Sequence, residues 1–326
     1  MRIAYFVHGR GRGHASRSSA VLHRLREAGH EVTLFAGGDA LDMLRGTAGL
    51  MPVSSVAPGS GLVRRTASRV RHDVQAMRSL RPDRVVSDGD MPSMLAAARL
   101  GIPSLAIGHD LVFSRCRLPA TLCRRALAKQ RVNAFHTSLA RAGVAVNFLP
   151  VEAAHASFVV ARPDVRAELA GGTGSDGPIV AYFRDANGAR VLGELVRAGE
   201  RVVLFGARFE APAGVEVAPF DVGAFARALA SARAVVGSSG SNLLAECVAL
   251  GKPLLAMHEA GDAEQRLNGD LLEAAGAGVA VPFSTPDLRA VVRRFLARVD
   301  QGRFSRPDMR SMTTASEAML TVMARA

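Results

Sequence analysis

The sequence contains few of the residues that build cross-links or aromatic binding surfaces. Its 326 residues include no tryptophan, two tyrosines and three cysteines, Cys116, Cys123 and Cys247. An odd number of cysteines without metal-ligand spacing argues against a disulfide framework and against a structural zinc site. Aromatic residues make up only 5% of the chain, which argues against a surface that stacks the bases of single-stranded nucleic acid. We therefore expect no nucleic-acid partner.

The sequence also lacks an apolar run near the roughly 18 residues that a membrane-spanning helix requires. Its first residues, MRIAYFVHG, are typical of a short strand and not of a secretory signal. Hydrophobic residues account for 48% of the chain and charged residues for 21%, which is ordinary for a soluble protein with two domains of about 150 residues. These features predict a cytoplasmic protein.

The positive charge of the chain is confined to its first half. Residues 1–160 contain 22 arginines and lysines against 10 aspartates and glutamates, whereas residues 161–326 contain 19 of each kind, so the first half carries the whole net charge of +12. This asymmetry indicates an anionic partner, such as a phosphorylated acceptor or the inner face of a membrane. Val63–Leu80 and Leu118–Leu139 are predicted basic amphipathic helices, either as solvated faces or as docks for such a partner.

Apolar strands alternate with helices along the chain, which predicts parallel sheets covered by helices on both faces. The segment around Arg162-Pro163 and GGTGSDGP interrupts this alternation and is typical of a linker. We predict an α/β protein with Rossmann-like domains over residues 1–160 and 178–305, a linker over 161–177, and a C-terminal helix within 306–326 that packs back on the first domain. The predicted strands are Arg2–Val7, Glu31–Phe35, Arg84–Val86, Ser104–Ile107, Val144–Phe148, Ile179–Phe183, Arg201–Phe205, Ala234–Val236 and Pro253–Met257.

A glycine-rich loop, Gly9–Gly13, follows the first strand and precedes a helix predicted over His14–Ala28. His14 stands where a dinucleotide fingerprint has its third glycine, and Leu34–Gly37 holds no acidic residue for a ribose, so the loop does not predict a dehydrogenase. The amides of the loop and the helix N-terminus can instead face an anion or a hydroxyl. The positive end of the helix dipole disfavours a charged ring at His14, which suits a general base better than a capping or packing histidine.

Asp88 follows the strand that begins at Arg84, and the carboxyl ends of parallel strands lie at one edge of a sheet. A carboxylate there can fix the tautomer of His14 and stabilise the imidazolium that forms when the ring takes a proton. The alternative role is a helix N-cap, for which Asp90 is better placed. We predict His14 and Asp88 as the catalytic pair. The substrate from which His14 takes a proton, called the acceptor below, is predicted to lie against Gly11, Gly13, Arg17, His109 and Asp110.

In the second half, the strand Ala234–Val236 leads into a loop of small residues and then into a helix. The amides and hydroxyls of this loop, Gly237–Asn242, can bind a diphosphate. Glu246 follows two turns into the helix, and Glu264-Gln265 and Asn268 follow the next strand. Polar side chains beyond the carboxyl ends of parallel strands are well placed to bind a sugar nucleotide.

These residues resemble the donor-binding signature of GT-B glycosyltransferases of families 1 and 28, the latter including the peptidoglycan N-acetylglucosaminyltransferase. GSSGSNLLAECVALGKP followed by EQRLN matches a small-residue loop, a glutamate, Leu-Gly-x-Pro and Asp-Gln-x-x-Asn. GRGRGHASRS is similar to the GEGLGHATRS loop of an uncharacterised branch of these enzymes, and PDRVVSDGDMPSMLAAARLGIP matches a block of the same branch. The resemblance covers about residues 1–300 and implies two doubly wound domains that face a central cleft.

The resemblance places the acceptor on the first domain and a nucleotide-diphosphate sugar, with UDP-sugar favoured, on the second. It implies that Glu246 binds the ribose hydroxyls and that Gln265 and Glu264 hold the sugar. Ser238 replaces the family 1 histidine, and Tyr182–Gly188 replaces a Gly-Gly-Ser loop, so some phosphate contacts differ from the family pattern. The predicted donor-binding residues are Arg184, Arg208, Phe220, Ser238, Ser239, Gly240, Ser241, Asn242, Glu246, Glu264, Gln265 and Asn268.

The expected reaction is an inverting glycosyl transfer in which His14 deprotonates the acceptor, without a metal or another cofactor. Asp88-Gly89-Asp90 is the only Asp-x-Asp sequence, and it lies in the predicted acceptor domain. Three alternatives remain: a nucleotide-sugar hydrolase whose histidine activates water, a nonhydrolysing UDP-sugar 2-epimerase, and a non-catalytic nucleotide-sugar-binding protein. A helix-turn-helix DNA-binding protein would explain the charge but neither set of strand-end residues.

Overall fold

A computed structural model of the chain describes residues 1–10, 13–56, 59–164, 176–219 and 221–325. Its contacts divide the chain into two compact units. Unit 1 comprises Met1–Leu118, Lys129–Asp164 and Met312–Ala326, and unit 2 comprises Pro119–Ala128 and Val165–Ser311.

Unit 1 is built on a seven-stranded parallel sheet. Its strands are β1 (Arg2–Val7), β2 (Glu31–Ala36), β3 (Leu50–Pro52), β4 (Arg84–Asp88), β5 (Ser104–Gly108), β7 (Ala142–Val146) and β9 (Phe158–Ala161), while β6 (Cys116–Arg117) and β8 (Glu152–Ala153) form a separate antiparallel pair. The strand order is β3-β2-β1-β4-β5-β7-β9. The central strands are runs of buried apolar side chains, as expected for a sheet with helices on both faces.

Helices connect these strands on both faces of the sheet. They are α1 (Gly13–Glu27), α2 (Gly38–Met43), α3 (Leu62–Leu80), α4 (Met91–Leu100), α5 (Asp110–Arg115), α6 (Arg124–Asn133) and a 3-10 helix (Phe135–Leu139). The start of α4 is fixed by Asp90, whose carboxylate accepts a hydrogen bond from the Ser93 N–H at 3.0 Å. Asp90 is therefore the N-cap, as predicted, and Asp88 is not needed for that role.

Unit 2 contains a six-stranded parallel sheet with helices between its strands. The strands are β10 (Ile179–Tyr182), β11 (Val202–Phe205), β12 (Val215–Val217), β13 (Ala234–Ser238), β14 (Leu254–His258) and β15 (Gly278–Pro282), in the order β12-β11-β10-β13-β14-β15. The helices are α7 (Ala189–Arg197), α8 (Val222–Ser231), α9 (Ser241–Leu250), α10 (Ala263–Ala274) and α11 (Leu288–Asp300). The predicted doubly wound α/β class is confirmed in both units.

The last helix, α12 (Ala315–Arg325), belongs to unit 1. Its buried side chains, among them Met319 and Val322, pack in the same core as residues of β1, α1 and β7. Two backbone hydrogen bonds join the segment where the chain leaves unit 1 to the segment where it returns. The Arg162 N–H donates to the Thr313 carbonyl at 2.9 Å, and the Ala315 N–H donates to the Arg162 carbonyl at 2.8 Å. Most of the predicted linker, residues 165–175, lies outside the described residues.

The structure differs from the prediction of one helix over Leu118–Leu139. Pro119 has no N–H and disfavours helical geometry at the residue before it, so helix α6 begins only at Arg124 and a 3-10 helix follows it. Residues Pro119–Ala128 also group with unit 2, where the Cys123 N–H donates to Asp270 at 2.9 Å. The first unit is therefore not one continuous stretch of residues 1–160.

In the two parallel sheets, four strands, β3, β9, β12 and β15, have no counterpart among the predicted strands. Each lies at an edge of its sheet. Edge strands are covered on fewer sides, and here they carry partly exposed side chains, so they lack the continuous apolar run that identifies a central strand.

Within the described part of the chain, no helix is both long and apolar enough to cross a membrane.

Candidate active site

The residues predicted to be catalytic meet at the carboxyl edge of the unit 1 sheet. β1 pairs with β4 so that Val7 lies opposite Asp88, the last residue of β4. The chain is held there by the His8 N–H, which donates to the Asp88 carbonyl at 2.9 Å. His14 stands in the first turn of α1, and its Nδ1 lies 2.7 Å from Asp88 Oδ1.

Four hydrogen bonds hold the Asp88 carboxylate. Besides the bond to His14, Arg17 donates from Nε to Oδ2 at 3.0 Å and from Nη2 to Oδ1, and the Ser18 hydroxyl donates to Oδ2 at 3.0 Å. The three donor side chains are three and four residues apart on α1, so they lie on one helix face. Burial raises the pKa of Asp88, but Arg17 and His14 outweigh burial and lower this pKa to about 2.

The ionised state of Asp88 determines the tautomer of His14. A carboxylate only accepts hydrogen bonds, so the proton of the neutral imidazole lies on Nδ1 and the lone pair lies on Nε2. The His14 side chain is 30% exposed, whereas that of Asp88 is fully buried. This arrangement can provide a general base, because a buried carboxylate fixes the orientation of the ring.

Two close neighbours restrict the His14 ring. Gly89 has φ = +71°, and a Cβ at this position would lie only 2.8 Å from His14 Cε1. Glycine is therefore required there both by the backbone conformation and by the ring. His8 packs edge to face against His14 with ring centroids 5.2 Å apart, and burial together with His14 lowers the pKa of His8 to about 4, which leaves His8 uncharged at neutral pH.

The predicted acceptor-side residues differ in their burial and in their hydrogen-bond partners. Arg17 is buried and binds Asp88, so it supports the catalytic pair and does not offer its charge to solvent. His109 is also buried, and its Nδ1 donates to the Val146 carbonyl at 2.8 Å. Asp110 accepts from the Leu111 N–H at 3.1 Å and lies 3.3 Å from His136 Nε2. Gly13 begins α1, and Gly11 lies outside the described residues.

Three polar residues of this region, His8, Ser18 and His136, are absent from the predicted set. His8 directly follows β1, and Ser18 is spaced four residues from His14 on the helix, so strand-end position and helical spacing are signals that identify both. His136 lies in a 3-10 helix far along the chain from the other site residues. Nothing in its local sequence indicates that it lies beside Asp110.

In unit 2, a short loop joins β13 to α9 at the carboxyl edge of the sheet. Ser239 is fully buried, and its N–H and hydroxyl both donate to the Met257 carbonyl, at 2.8 and 3.1 Å. Asn268 is also fully buried and donates from Nδ2 to the Ser239 carbonyl at 2.9 Å. These bonds fix the loop in advance. Ser239 and Asn268 therefore shape the loop, while Ser238, Ser241 and Asn242 remain partly exposed and Gly240 is exposed.

The side chains predicted to bind ribose and sugar lie near this loop on α9 and α10. Glu246 is buried in the second turn of α9. Glu264 and Gln265 occupy the first turn of α10, which Asp262 caps through a bond from the Gln265 N–H at 3.0 Å. Gln265 Oε1 is buried and has no hydrogen-bond partner among the described residues. Such an atom is the kind that a bound hydroxyl satisfies.

The two arginines predicted to contact the diphosphate are both exposed. Arg184 follows β10 and donates from Nε to the Tyr182 hydroxyl at 3.2 Å. Arg208 lies two residues beyond Gly206, which itself follows β11. Phe220 lies outside the described residues. Across the described ranges, no group of three or more His, Cys, Asp or Glu side chains is arranged to hold a metal ion.

Asp88→Asn should destabilise the fold by about 3–5 kcal/mol at neutral pH, because it leaves the buried Arg17 cation without its counter-charge. The lowered pKa of Asp88 means that its ionisation stabilises the folded state above the unfolded-state pKa, and that this contribution disappears as the pH falls through the folded-state pKa. The difference from wild type should therefore shrink by about 2 kcal/mol between about pH 5 and pH 2. Urea denaturation across this range measures it, with Asp42→Asn at an exposed carboxylate as control. A pH-independent difference would contradict the prediction.

Known proteins resemble the chain over nearly its full length. An uncharacterized glycosyltransferase of Methanosarcina acetivorans is 24% identical over an alignment of 334 residues that covers 87% of this chain and 84% of the relative. The crystal structure of Acinetobacter baumannii MurG has a TM-score of 0.67 at 16% identity and covers 100% of this chain and 99% of its own. SsfS6, a glycosyltransferase of Streptomyces sp. SF2575 solved with thymidine diphosphate, has a TM-score of 0.63 at 18% identity, with both chains fully covered.

These likenesses confirm the GT-B fold and the resemblance that the motifs indicate. The model of the family described as glycosyl transferase family 1 matches residues 1–300. That match spans both strand-end sites, from the His14 loop to the helix that carries Gln265 and Asn268. The chain therefore belongs to glycosyl transferase family 1 and is a glycosyltransferase.

Proposed function

We propose that the protein transfers a sugar from a nucleotide-diphosphate sugar to an acceptor hydroxyl or amine, with inversion and without a metal. The observation that carries this proposal is the His14–Asp88 pair, in which a buried carboxylate holds Nδ1 and leaves the His14 Nε2 lone pair available. The thymidine diphosphate in SsfS6 supports a nucleoside diphosphate as part of the donor. The prearranged loop before α9, with Glu246 and Gln265 nearby, supports unit 2 as its binding site.

In the proposed reaction, His14 Nε2 takes the proton of the acceptor hydroxyl as its oxygen forms a bond to the anomeric carbon. The bond from that carbon to the diphosphate oxygen breaks, and its electron pair stays on the diphosphate. The negative charge of Asp88 stabilises the imidazolium that forms. The N-terminus of α9 stabilises the leaving diphosphate through the N–H groups of its first turn and the helix dipole. Displacement in line inverts the configuration of the anomeric carbon.

A panel of UDP-, dTDP- and GDP-sugars tests donor binding before any acceptor is known. We expect one nucleotide family to raise the melting temperature of wild type and of His14→Ala equally, because His14 acts on the acceptor. Glu246→Gln should reduce that shift, because it removes the carboxylate proposed to bind the ribose. Free nucleotide, measured by chromatography, should stay low in all three proteins.

The same panel separates the proposed transferase from a hydrolase. Rapid release of nucleotide by wild type and none by His14→Ala would identify water as the acceptor. Once an acceptor is known, His14→Ala should lower kcat by about 10²–10⁴-fold, the usual contribution of a general base. A variant that keeps full activity would contradict the role of His14.

Metal independence is a separate prediction. EDTA should leave the initial rate of sugar transfer unchanged, and added Mg²⁺ or Mn²⁺ should not raise it, because the charge of the leaving group is met by α9 and by arginine side chains. Asp90, the second carboxylate of the Asp-x-Asp sequence, is engaged in capping α4 and in binding Arg69. Loss of turnover in EDTA, with recovery on adding a divalent cation, would overturn this part of the proposal.

We also propose that unit 1 contacts an anionic surface, at the inner face of the membrane of the cell or on an anionic acceptor. Helix α3 begins with Leu62 and Val63, of which Val63 is 83% exposed, and Arg64, Arg71 and Arg78 of the same helix are exposed. Apolar side chains beside arginines favour the interface of an anionic bilayer, where each basic residue contributes about 1 kcal/mol.

Sedimentation with lipid vesicles tests this contact. The protein should bind vesicles rich in phosphatidylglycerol and not neutral phosphatidylcholine vesicles, and salt should weaken the binding because it screens the charges. Val63→Asp should reduce binding, whereas Met51→Asp, at another exposed apolar side chain, should not. Equal binding to both kinds of vesicle, or to neither, would contradict a charge-directed membrane contact.

A further inference from the structure

Three titratable side chains behind the catalytic pair take no direct part in the proton transfer described above. Arg17 is buried against Asp88, Asp110 begins α5 at the end of the neighbouring strand β5, and His136 lies in the 3-10 helix Phe135–Leu139. All three are largely buried, with side-chain exposures of 7%, 20% and 11%. Charges that are withdrawn from water in this way require compensation, so their arrangement is informative.

Arg17 and Asp110 flank the same glycine. A Cβ on Gly108 would lie 2.5 Å from Asp110 Oδ1 and 3.8 Å from Arg17 Nη2, so the carboxylate and the guanidinium approach each other across this Cα. Only a residue without a side chain leaves that space open. Arg17 is therefore paired with Asp88 and has Asp110 as a second carboxylate in its neighbourhood.

His136 faces the Asp110 carboxylate, with its Nε2 3.3 Å from Asp110 Oδ2. A carboxylate this close favours the protonated form of an imidazole. Burial lowers the pKa of His136, but Asp110 and the Asn133 carbonyl outweigh burial and raise it.

We propose that His136, Asp110, Arg17 and Asp88 form a ladder of alternating charge that ends on His14, and that Asp110 is a positioning residue for the catalytic base. The ladder runs from a cation at His136 to an anion at Asp110, a cation at Arg17 and an anion at Asp88. This inference rests on the proposed function for its catalytic meaning, while the ladder itself is a property of the folded protein.

The ladder compensates an unfavourable interaction between Arg17 and a protonated His14. Arg17 Nη2 lies 3.1 Å from His14 Nδ1, so a fixed positive charge opposes the imidazolium that forms when His14 takes a proton. Asp88 offsets one of the two cations, and Asp110 supplies a second negative charge close to Arg17. The positive charge of His136 partly offsets the negative charge of Asp110, so the net charge of the residues behind His14 stays small.

Other charged groups face these residues from the surrounding elements. His8, which follows β1, is uncharged at neutral pH because its pKa is about 4. Asp90, the cap of α4, acts on both His8 and His136. Arg115 of α5 donates to the Thr137 carbonyl at 3.0 Å in the same 3-10 helix as His136. Asp110 itself interacts electrostatically with both Arg17 and His14.

Titration of the histidine side chains by NMR tests the ladder without any substrate. The full chain is labelled with ¹⁵N-histidine. The resonances of His14 and His136 are assigned as those that disappear from the spectra of His14→Gln and His136→Gln, respectively. In wild type at neutral pH, both ring nitrogens of His136 should give the shifts of a protonated imidazole. In Asp110→Asn, the His136 ring should become neutral at a lower pH than in wild type.

The decisive comparison is that of the His14 resonance in wild type and in the two variants. Its titration should move to lower pH by about one unit in Asp110→Asn, because a nearby negative charge is lost, and to higher pH by a smaller amount in His136→Gln, because a positive charge is lost. Opposite signs from two neighbouring substitutions distinguish an electrostatic role from mere disturbance of the fold. Asp42→Asn should leave the His14 titration unchanged. An unchanged titration in Asp110→Asn, or shifts of the same sign in both variants, would overturn the ladder.

A kinetic measurement tests the positioning role once donor and acceptor are known. Asp110→Asn should lower kcat about tenfold with little change in KM, and the acidic limb of the pH–rate profile should move to lower pH together with the His14 resonance. An unchanged profile would overturn the role of Asp110 in catalysis. If the NMR shifts occur but no sugar transfer is found for wild type, the proposed function fails while the ladder stands.

Discussion

The buried ion pair between Arg17 and Asp88 is the constraint on which the first unit depends. A carboxylate at the end of a central strand, fully enclosed by protein, is stable only when hydrogen-bond donors and an opposite charge accompany it. One face of α1 supplies them, through Arg17, Ser18 and His14. The register of β1 against β4, the start of α1 and the glycine at position 89 together allow this face to contact Asp88. The orientation of the His14 ring thus follows from the interactions that neutralise Asp88.

The two strand-end sites use different physical means. In unit 1 the polar groups are charged, close together and already paired, which fixes the orientation of the His14 ring. In unit 2 the loop before α9 is held by uncharged bonds from Ser239 and Asn268. Its polar groups are backbone amides and hydroxyls at a helix N-terminus, and a buried amide oxygen of Gln265 lacks a partner among the described residues. The first arrangement suits proton transfer, and the second suits a bound anion with hydroxyl groups.

Much of this organisation could be predicted from the sequence because central strands and the residues after them have local signals. Apolar runs located the inner strands to within about two residues, and strand ends located His14 and Asp88 at one edge. Edge strands such as β3 and β12 could not be found, because partial exposure removes the apolar run. The contact between Asp110 and His136 could not be found either, since it joins a strand end to a 3-10 helix through the tertiary fold alone. The sequence predicts Arg17 on the acceptor side, because the burial of an arginine near a glycine loop has no local signal.

The burial of Arg17 and Arg69 also changes what the charge of the first half means. Both arginines are neutralised by carboxylates, Arg17 by Asp88 and Arg69 by Asp73 and Asp90. Three of the ten acidic residues of the first half, Asp73, Asp88 and Asp90, are thus engaged with buried arginines. The excess of arginine resides elsewhere in the first half, and the exposed arginines of α3 carry part of it. The proposed anionic partner would therefore meet the outer surface of the unit, while the proposed base His14 requires of the acceptor a group that it can deprotonate and not a negative charge.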